Sequence, residues 1–201
     1  MSIFREAVKA IRITLVLWVL TAIIYPLLIL IIGQVFFPFQ ANGSMMPNLK
    51  GEFIGSALIG QQFKSERYFS GRPSAIKYSQ GKEAKLTGKS GATNLAPSNP
   101  VLLKRILEKA NNLKDDNIQP VSDLIYTSGS GLDPHISIKA AREQLEKVAR
   151  ARGVRPEEIV FLINKYTEGR FLGIFGEPGV NVLKLNYALD LDELNRQQNK
   201  S

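Results

Sequence analysis

Three stretches of this chain carry residue types that could do chemistry. The first is TSGSGLDPHIS, residues 127–137, where two glycines, three serines, Asp133 and the chain's one histidine, His135, share one turn-rich segment. It has the look of an active-site loop. It fits neither the G-x-S-x-G nucleophile elbow nor a phosphate-binding P-loop. A zinc site needs three or four N, S or O ligands, and the chain has no second histidine and no cysteine. Structural duties account for the whole segment. Gly129 and Gly131 permit tight turning, Asp133-Pro134 makes a rigid turn, and Ser137 caps the helix that follows. The expected role is architecture and contact with a partner, with His135 holding no metal. The second stretch is SAIK, Ser74 to Lys77, which has the S-x-x-K spacing of Ser–Lys hydrolases. Its companion motifs are missing: Ser122-Asp123 is followed by Leu124, and no KTG occurs. The third is TGKS, Thr87 to Ser90, which ends like a P-loop but has Glu83 where the pattern needs its first glycine.

The elements that must position these residues begin with a membrane span. Residues 13–32, ITLVLWVLTAIIYPLLILII, hold twenty residues without a charge. At about 1.5 Å per residue the run covers the hydrocarbon thickness of a bilayer. A cleaved signal peptide would have a shorter apolar core and an A-x-A-like site, which the following GQVFFPFQANG lacks. Arg5, Lys9 and Arg12 precede the span, and no charge follows it until Lys50. The positive-inside rule then places a cytoplasmic segment at 1–12, the span at 13–33, and residues 34–201 outside the cytoplasmic membrane. Thr14, Trp18, Thr21 and Tyr25 fall at i, i+4, i+7 and i+11 and line one helical stripe. This stripe is expected to pack on another protein's helix, although its hydroxyls could instead bond back within their own. Pro26 frees a backbone carbonyl and is expected to kink the helix.

The outer part reads as a mixed α/β (α+β) domain, large enough to own a core. Residues 52–63, EFIGSALIGQQF, read as a strand that other backbone approaches at Gly55 or Gly60. A helix starts at Asn99-Pro100 with Leu103, Ile106, Leu107, Ala110 and Leu113 on its apolar face. A second starts at Ser137, turns Ala141, Leu145 and Val148 inward, and stops at Gly153. A third starts at Pro156 and buries Ile159, Leu162, Ile163 and Tyr166. VSDLIYTS, from Val121, reads as a strand, and VNVLKLNYALDLDEL, from Val180, as a strand that turns helical. Residues 79–91 look like a solvated, mobile insert. The net charge is +8, but basic residues alternate with acidic ones and form no dense run with aromatics, so nucleic acid is not an expected partner.

The order of the motifs is more specific than any one of them. A short basic N-terminus and a span containing YPLL are followed by FPFQANGS, GSALIGQQF, YFSGRPSA, TNLAPSNP, SGSGLDPHIS, ARARG and VNVLKLNYALD. This series resembles the KdpC family, the C subunits of Kdp-type potassium-transporting P-type ATPases, from about residue 5 to residue 192. The resemblance implies an accessory subunit that is not itself an enzyme, in a pump with a potassium-channel-like subunit, a P-type ATPase subunit and a small helical subunit. It implies that the complex uses ATP, Mg²⁺ and K⁺, with no cofactor held by this chain. It also implies a role in assembly and as a catalytic chaperone that raises the ATP affinity of the hydrolysing subunit. The motif residues Gln61, Tyr68, Arg72, Asn94, Ser98, Gly129, Gly131, Asp133 and Ser137 become candidates for an interface or a structural loop. The competing reading is a membrane-anchored envelope hydrolase using Ser74 and Lys77.

Overall fold

The computed structural model describes residues 3–48, 51–79 and 89–199, so most of the expected insert at 79–91 lies outside the described residues. Two compact units divide at residue 45. The first is helical. α1 (Ile3–Val19) runs through a π turn, Leu20–Ile24, into α2 (Tyr25–Phe36), followed by the short α3 (Pro38–Ala41). Residues 3–36 form one helix long and apolar enough to cross a membrane, with none of its most apolar window buried. Helix geometry extends ahead of the apolar run because Arg5, Lys9 and Arg12 are good helix formers; Lys9 pairs with Glu6 at 2.9 Å.

The irregularity at Pro26 is a π turn just before it, where Tyr25 N–H donates to the Leu20 carbonyl. Each residue advances an α-helix by about 100°, and a π turn holds one residue more than the turn it replaces. Tyr25 is therefore displaced by about that angle from the line through Thr14 and Trp18, and the four-residue stripe expected from the sequence does not hold together. Thr21 Oγ donates to the Leu17 carbonyl at 2.8 Å, so its hydroxyl does bond back within its own helix.

Among its described residues the second unit combines five α-helices with two small sheets. β1 (Met45–Pro47) pairs with β2 (Phe53–Ser56). The helices are α4 (Pro100–Asp115), α5 (Ser122–Ile125), α6 (Ile138–Arg152), α7 (Pro156–Lys165) and α8 (Val182–Gln198). The strands β3 (His135–Ile136), β4 (Thr167–Glu168) and β5 (Gly179–Asn181) form an antiparallel sheet in the order β3-β5-β4. His135 lies opposite Asn181, and Thr167 opposite Val180. Phe69, Ile136, Val148, Ile159, Ile163, Val180, Leu185 and Leu189 are buried together as one core.

The helix starts follow the caps in the sequence. Asn99 accepts from Val101 N–H at 2.9 Å, and Ser137 accepts from Ala140 N–H at 3.2 Å. Gly153 ends α6 in the left-handed conformation, φ +65°. Ser137→Ala is expected to cost about 1 kcal/mol, the usual worth of such a cap, measured as a shift in the urea midpoint.

Four expectations are corrected. The segment at Val121 is the short helix α5, whose turn brings Asp123 inward. The VNVLKLNYALD segment is helical from Val182: Asn181 caps it by accepting from Lys184 N–H, and Val182, Leu185, Asn186 and Leu189 bury one helical face. In α4 Leu113 is buried, but Leu103 and Leu107 are 57% and 54% exposed, because the inward line runs through Leu102, Ile106 and Leu113. Residues 52–63 are extended only over β2.

Candidate interface loop

The loop at 127–137 is knitted to three other segments by backbone bonds. Ser128 N–H donates to the Pro73 carbonyl, Gly91 N–H to that of Ser130, and Gly60 N–H to that of Leu132, at 2.7–2.9 Å. Ser74 Oγ donates to the Gly131 carbonyl at 2.7 Å. The turn itself closes through Ser128, whose hydroxyl accepts from Gly131 N–H at 3.1 Å. Gly131 sits at φ +70°, so the tight-turn duty falls on it. Gly129 is not in the left-handed region, and an added Cβ there would meet nothing within 4 Å, which corrects the role expected for it. At Gly60 a Cβ would lie 2.6 Å from the Asp133 carbonyl oxygen, the close backbone approach that the sequence suggested.

Alternating charges run outward from this loop. Arg72 pairs with Asp123, and its Nε lies 3.5 Å from Asp133 Oδ2. Asp133 Oδ1 accepts from His135 N–H at 2.9 Å, as an Asx turn does. The His135 ring meets Glu168 at 3.0 Å, and Glu168 binds Lys184 at 2.6 Å. Asp123 also accepts from Ser137 N–H at 2.7 Å, so one buried carboxylate ties Arg72 to the start of α6.

The Asp133 carboxylate, 3.7 Å from the His135 ring nitrogen Nδ1, raises the His135 pKa above its ordinary 6.5, against the opposing effect of burial and with help from Glu168. Burial pushes Asp133 up, but its bonds with His135 and the charge of Arg72 outweigh this and leave it below the usual range. Burial likewise pushes Glu168 up, and Lys184 and His135 bring it down. A raised imidazole pKa stabilises the fold below about 6.5, and that contribution is lost as pH rises through the folded value. The lowered carboxylates contribute above their ordinary values, 3.8 and 4.5, and lose this as pH falls. The unfolding free energy from urea denaturation is therefore expected to decline above pH 6.5, by about 0.2–1 kcal/mol for groups so exposed to solvent. His135→Gln should flatten that decline while leaving the acid limb.

A second cluster holds the YFSGRPSA segment. Asn186 accepts from Phe69 N–H and donates to the Phe69 carbonyl, both at 2.9 Å. Gln144 does the same for Ser70, at 2.8 and 3.1 Å. Two buried amide side chains, from α8 and α6, thus pair an extended backbone as a neighbouring strand would. Beside them Arg152, its side chain 2% exposed, binds Asp190 at 2.8 Å, Glu193 at 3.0 Å and the Arg67 carbonyl at 2.7 Å. Its guanidinium stacks 5.0 Å from the Tyr68 ring centre. Tyr68 Oη donates to Asp190 at 3.1 Å, and burial and Asp190 raise its pKa. Gln61 donates to the Ile54 carbonyl at 2.9 Å. Gln61, Tyr68, Asn186 and Asp190 border a cleft of about 570 Å³ with walls at Ile54, Phe63 and Tyr187. Asn94 is exposed at φ +50°, and Ser98 is exposed in the turn before the Asn99 cap.

The family model described as K⁺-transporting ATPase, c chain (KdpC) matches residues 7–191. This chain belongs to the KdpC family. The potassium-transporting ATPase KdpC subunit 2 of Nostoc sp. (strain PCC 7120 / SAG 25.82 / UTEX 2576) is 69% identical over 199 residues, 99% of this chain and 100% of the relative. The KdpC subunit of Anabaena sp. (strain L31) is 67% identical with full coverage of both chains. That of Caldanaerobacter subterraneus subsp. tengcongensis is 42% identical over 96% of this chain and 98% of its own. Members are subunits of a potassium-transporting ATPase, so this chain works in a complex with other Kdp subunits.

The geometry of Ser74 and Lys77 in the KdpC fold does not support the hydrolase alternative. Ser74 Oγ donates to Gly131 O and accepts from Ile76 and Tyr78 N–H at 3.3 and 3.0 Å, so it is spent on the loop. Lys77 is exposed, at φ +50°, in the turn beyond it. Tyr78, whose phenol burial and then Asp133 push up to about 12, donates to the Arg72 carbonyl. Ser74→Ala is expected to lower stability by about 1–3 kcal/mol, because three partly buried backbone groups lose this partner. Lys77→Ala should be silent, and both should leave potassium-dependent ATPase activity of the assembled complex intact. Loss of activity with assembly preserved would return a chemical role to this pair.

The sequence reading of the KdpC motifs missed Asp123, Gln144, Arg152 and Asn186. A signal was present for two of them. Gln144 sits among Ala141, Leu145 and Val148, and Asn186 between Leu185 and Leu189: an amide on the core face of a helix must find a buried partner.

Proposed function

We propose that this chain is a non-catalytic assembly subunit of an ATP-driven potassium uptake pump. Its N-terminus lies in the cytoplasm, its span in the cytoplasmic membrane, and its second unit outside, over the entrance of a potassium-channel-like subunit. The observation that carries this reading is that the residues able to do chemistry are already engaged. Ser74, Ser128, Asp133 and His135 all serve the loop and its charge chain. What the second unit offers instead is surface. Phe171, Leu172, Ile174 and Phe175, between β4 and β5, are each more than three-fifths exposed, an apolar patch of the kind that marks a contact site.

ATP is cytoplasmic, and in this topology the second unit stands on the other side of the membrane. A catalytic-chaperone effect on the P-type subunit therefore travels through the span, and the chain itself holds no nucleotide, Mg²⁺ or K⁺. The test is affinity purification of the tagged full chain from membranes. A large channel-like subunit, the hydrolysing subunit and a very small helical one should come with it, and complexes lacking the chain should show a raised ATP KM or fail to assemble. Alkaline phosphatase fused to the C-terminus should be active. Recovery of the chain alone, or an inactive fusion, overturns the reading.

A further inference from the structure

The π turn takes from the Thr21 carbonyl its α-helical donor, beside Ala22, whose own i+4 position is Pro26. In a regular α-helix the carbonyl of Thr21 accepts from the N–H four residues on, that of Tyr25. Here Tyr25 N–H is committed to Leu20. The next candidate, five residues on, is Pro26, which has no N–H. A nearby hydroxyl often repairs such a gap in membrane helices. The hydroxyl of Thr21 cannot, because it is bound one turn back, to Leu17 O at 2.8 Å.

This carbonyl stands near the middle of the uncharged run 13–32, where hydrocarbon offers no hydrogen bond and an unsatisfied backbone group is costly. Lipid tails carry no donor and water is excluded at that depth. Ala22, beside it, has a small side chain that lets another backbone come close. We infer that the Thr21 carbonyl is the docking point for a transmembrane helix of another subunit, one that presents a side-chain hydrogen-bond donor (a hydroxyl, amide or amine) at mid-bilayer depth. Pro26 and the π turn are the device that exposes it. The inference rests on the proposed role in a multisubunit membrane complex and adds where, and by what chemistry, the span is gripped.

Thr21-Ala22 is the only Thr-Ala pair in the sequence, so carbonyl-¹³C threonine with ¹⁵N alanine gives one solid-state NMR correlation, reporting this carbonyl alone. The full chain is compared alone in lipid bilayers and in the complex with its co-purified subunits. The resonance is expected to move downfield in the complex. Pro26→Ala restores the missing N–H: the variant's carbonyl should already be downfield without partners. Recovery of its complex should fall about 3- to 17-fold, the range for one interhelical hydrogen bond. A resonance unmoved between the chain alone and the complex overturns the inference while leaving the assembly role standing. A downfield shift in the chain alone that grows with protein-to-lipid ratio also overturns it, in favour of a second copy as the occupant. Absence of any co-purified subunit is instead the failure of the assembly reading.

Discussion

Gly131→Val is expected to destabilise the second unit by about 2–6 kcal/mol and to remove the complex from membranes. Backbone strain for a β-branched residue at φ +70° contributes about 1–3 kcal/mol. Overpacking adds about 1–3 kcal/mol more, because a Cβ there would stand 2.6 Å from the Gly91 carbonyl oxygen and 2.7 Å from Ile76 Cγ1. The Gly91 oxygen belongs to backbone that is itself bonded to Ser130, so it cannot swing aside as a side-chain tip would. A typical domain has only about 5–15 kcal/mol in hand, so the variant sits near the edge of folding. Gly129→Ala, two residues away in open space, should stay within about 0.5 kcal/mol of wild type. Urea denaturation and recovery of the complex read both variants. Equal stability of the two would sink the architectural reading of the loop.

Asn186→Ala should cost about 3–5 kcal/mol. The substitution leaves both the N–H and the carbonyl of Phe69 buried without a partner, at about 1–3 kcal/mol each, and opens a small cavity. Phe69 is fully buried and Asn186 nearly so, so the two backbone groups lie away from bulk water. Hydrogen exchange at the Phe69 amide gives a second readout: its protection should collapse in Asn186→Ala even where the rest of α8 stays protected. The double variant with Gln144→Ala should cost less than the sum, because both amides hold one segment. An unchanged urea midpoint for Asn186→Ala is the result that would refute the clamp.

The sequence by itself determined what local physics decides. Twenty uncharged residues announce the apolar helix, and Asn99-Pro100, Ser137 with Gly153, and Pro156 mark where α4, α6 and α7 begin or end. Caps and prolines act over one helical turn, so a window of a few residues contains the whole interaction. The family too was legible, because it lies in the order of motifs along the chain. Tertiary structure decided the rest. The residues from Val182 satisfy a strand's alternation and a helix's period together, and the Asn181 cap with a core waiting on one side selects the helix. Which stripe of α4 faces inward depends on what stands opposite it. Gly131 and Gly129 look alike in the sequence, and only the folded chain tells them apart, by the φ of +70° at Gly131 and by Ile76 and the backbone of residue 91 packed against it. The clamp of Asn186 on Phe69 joins residues 117 apart, and Arg152 reaches Glu193 across 41. Such pairs meet only when the chain has folded back on itself, and no local spacing encodes them.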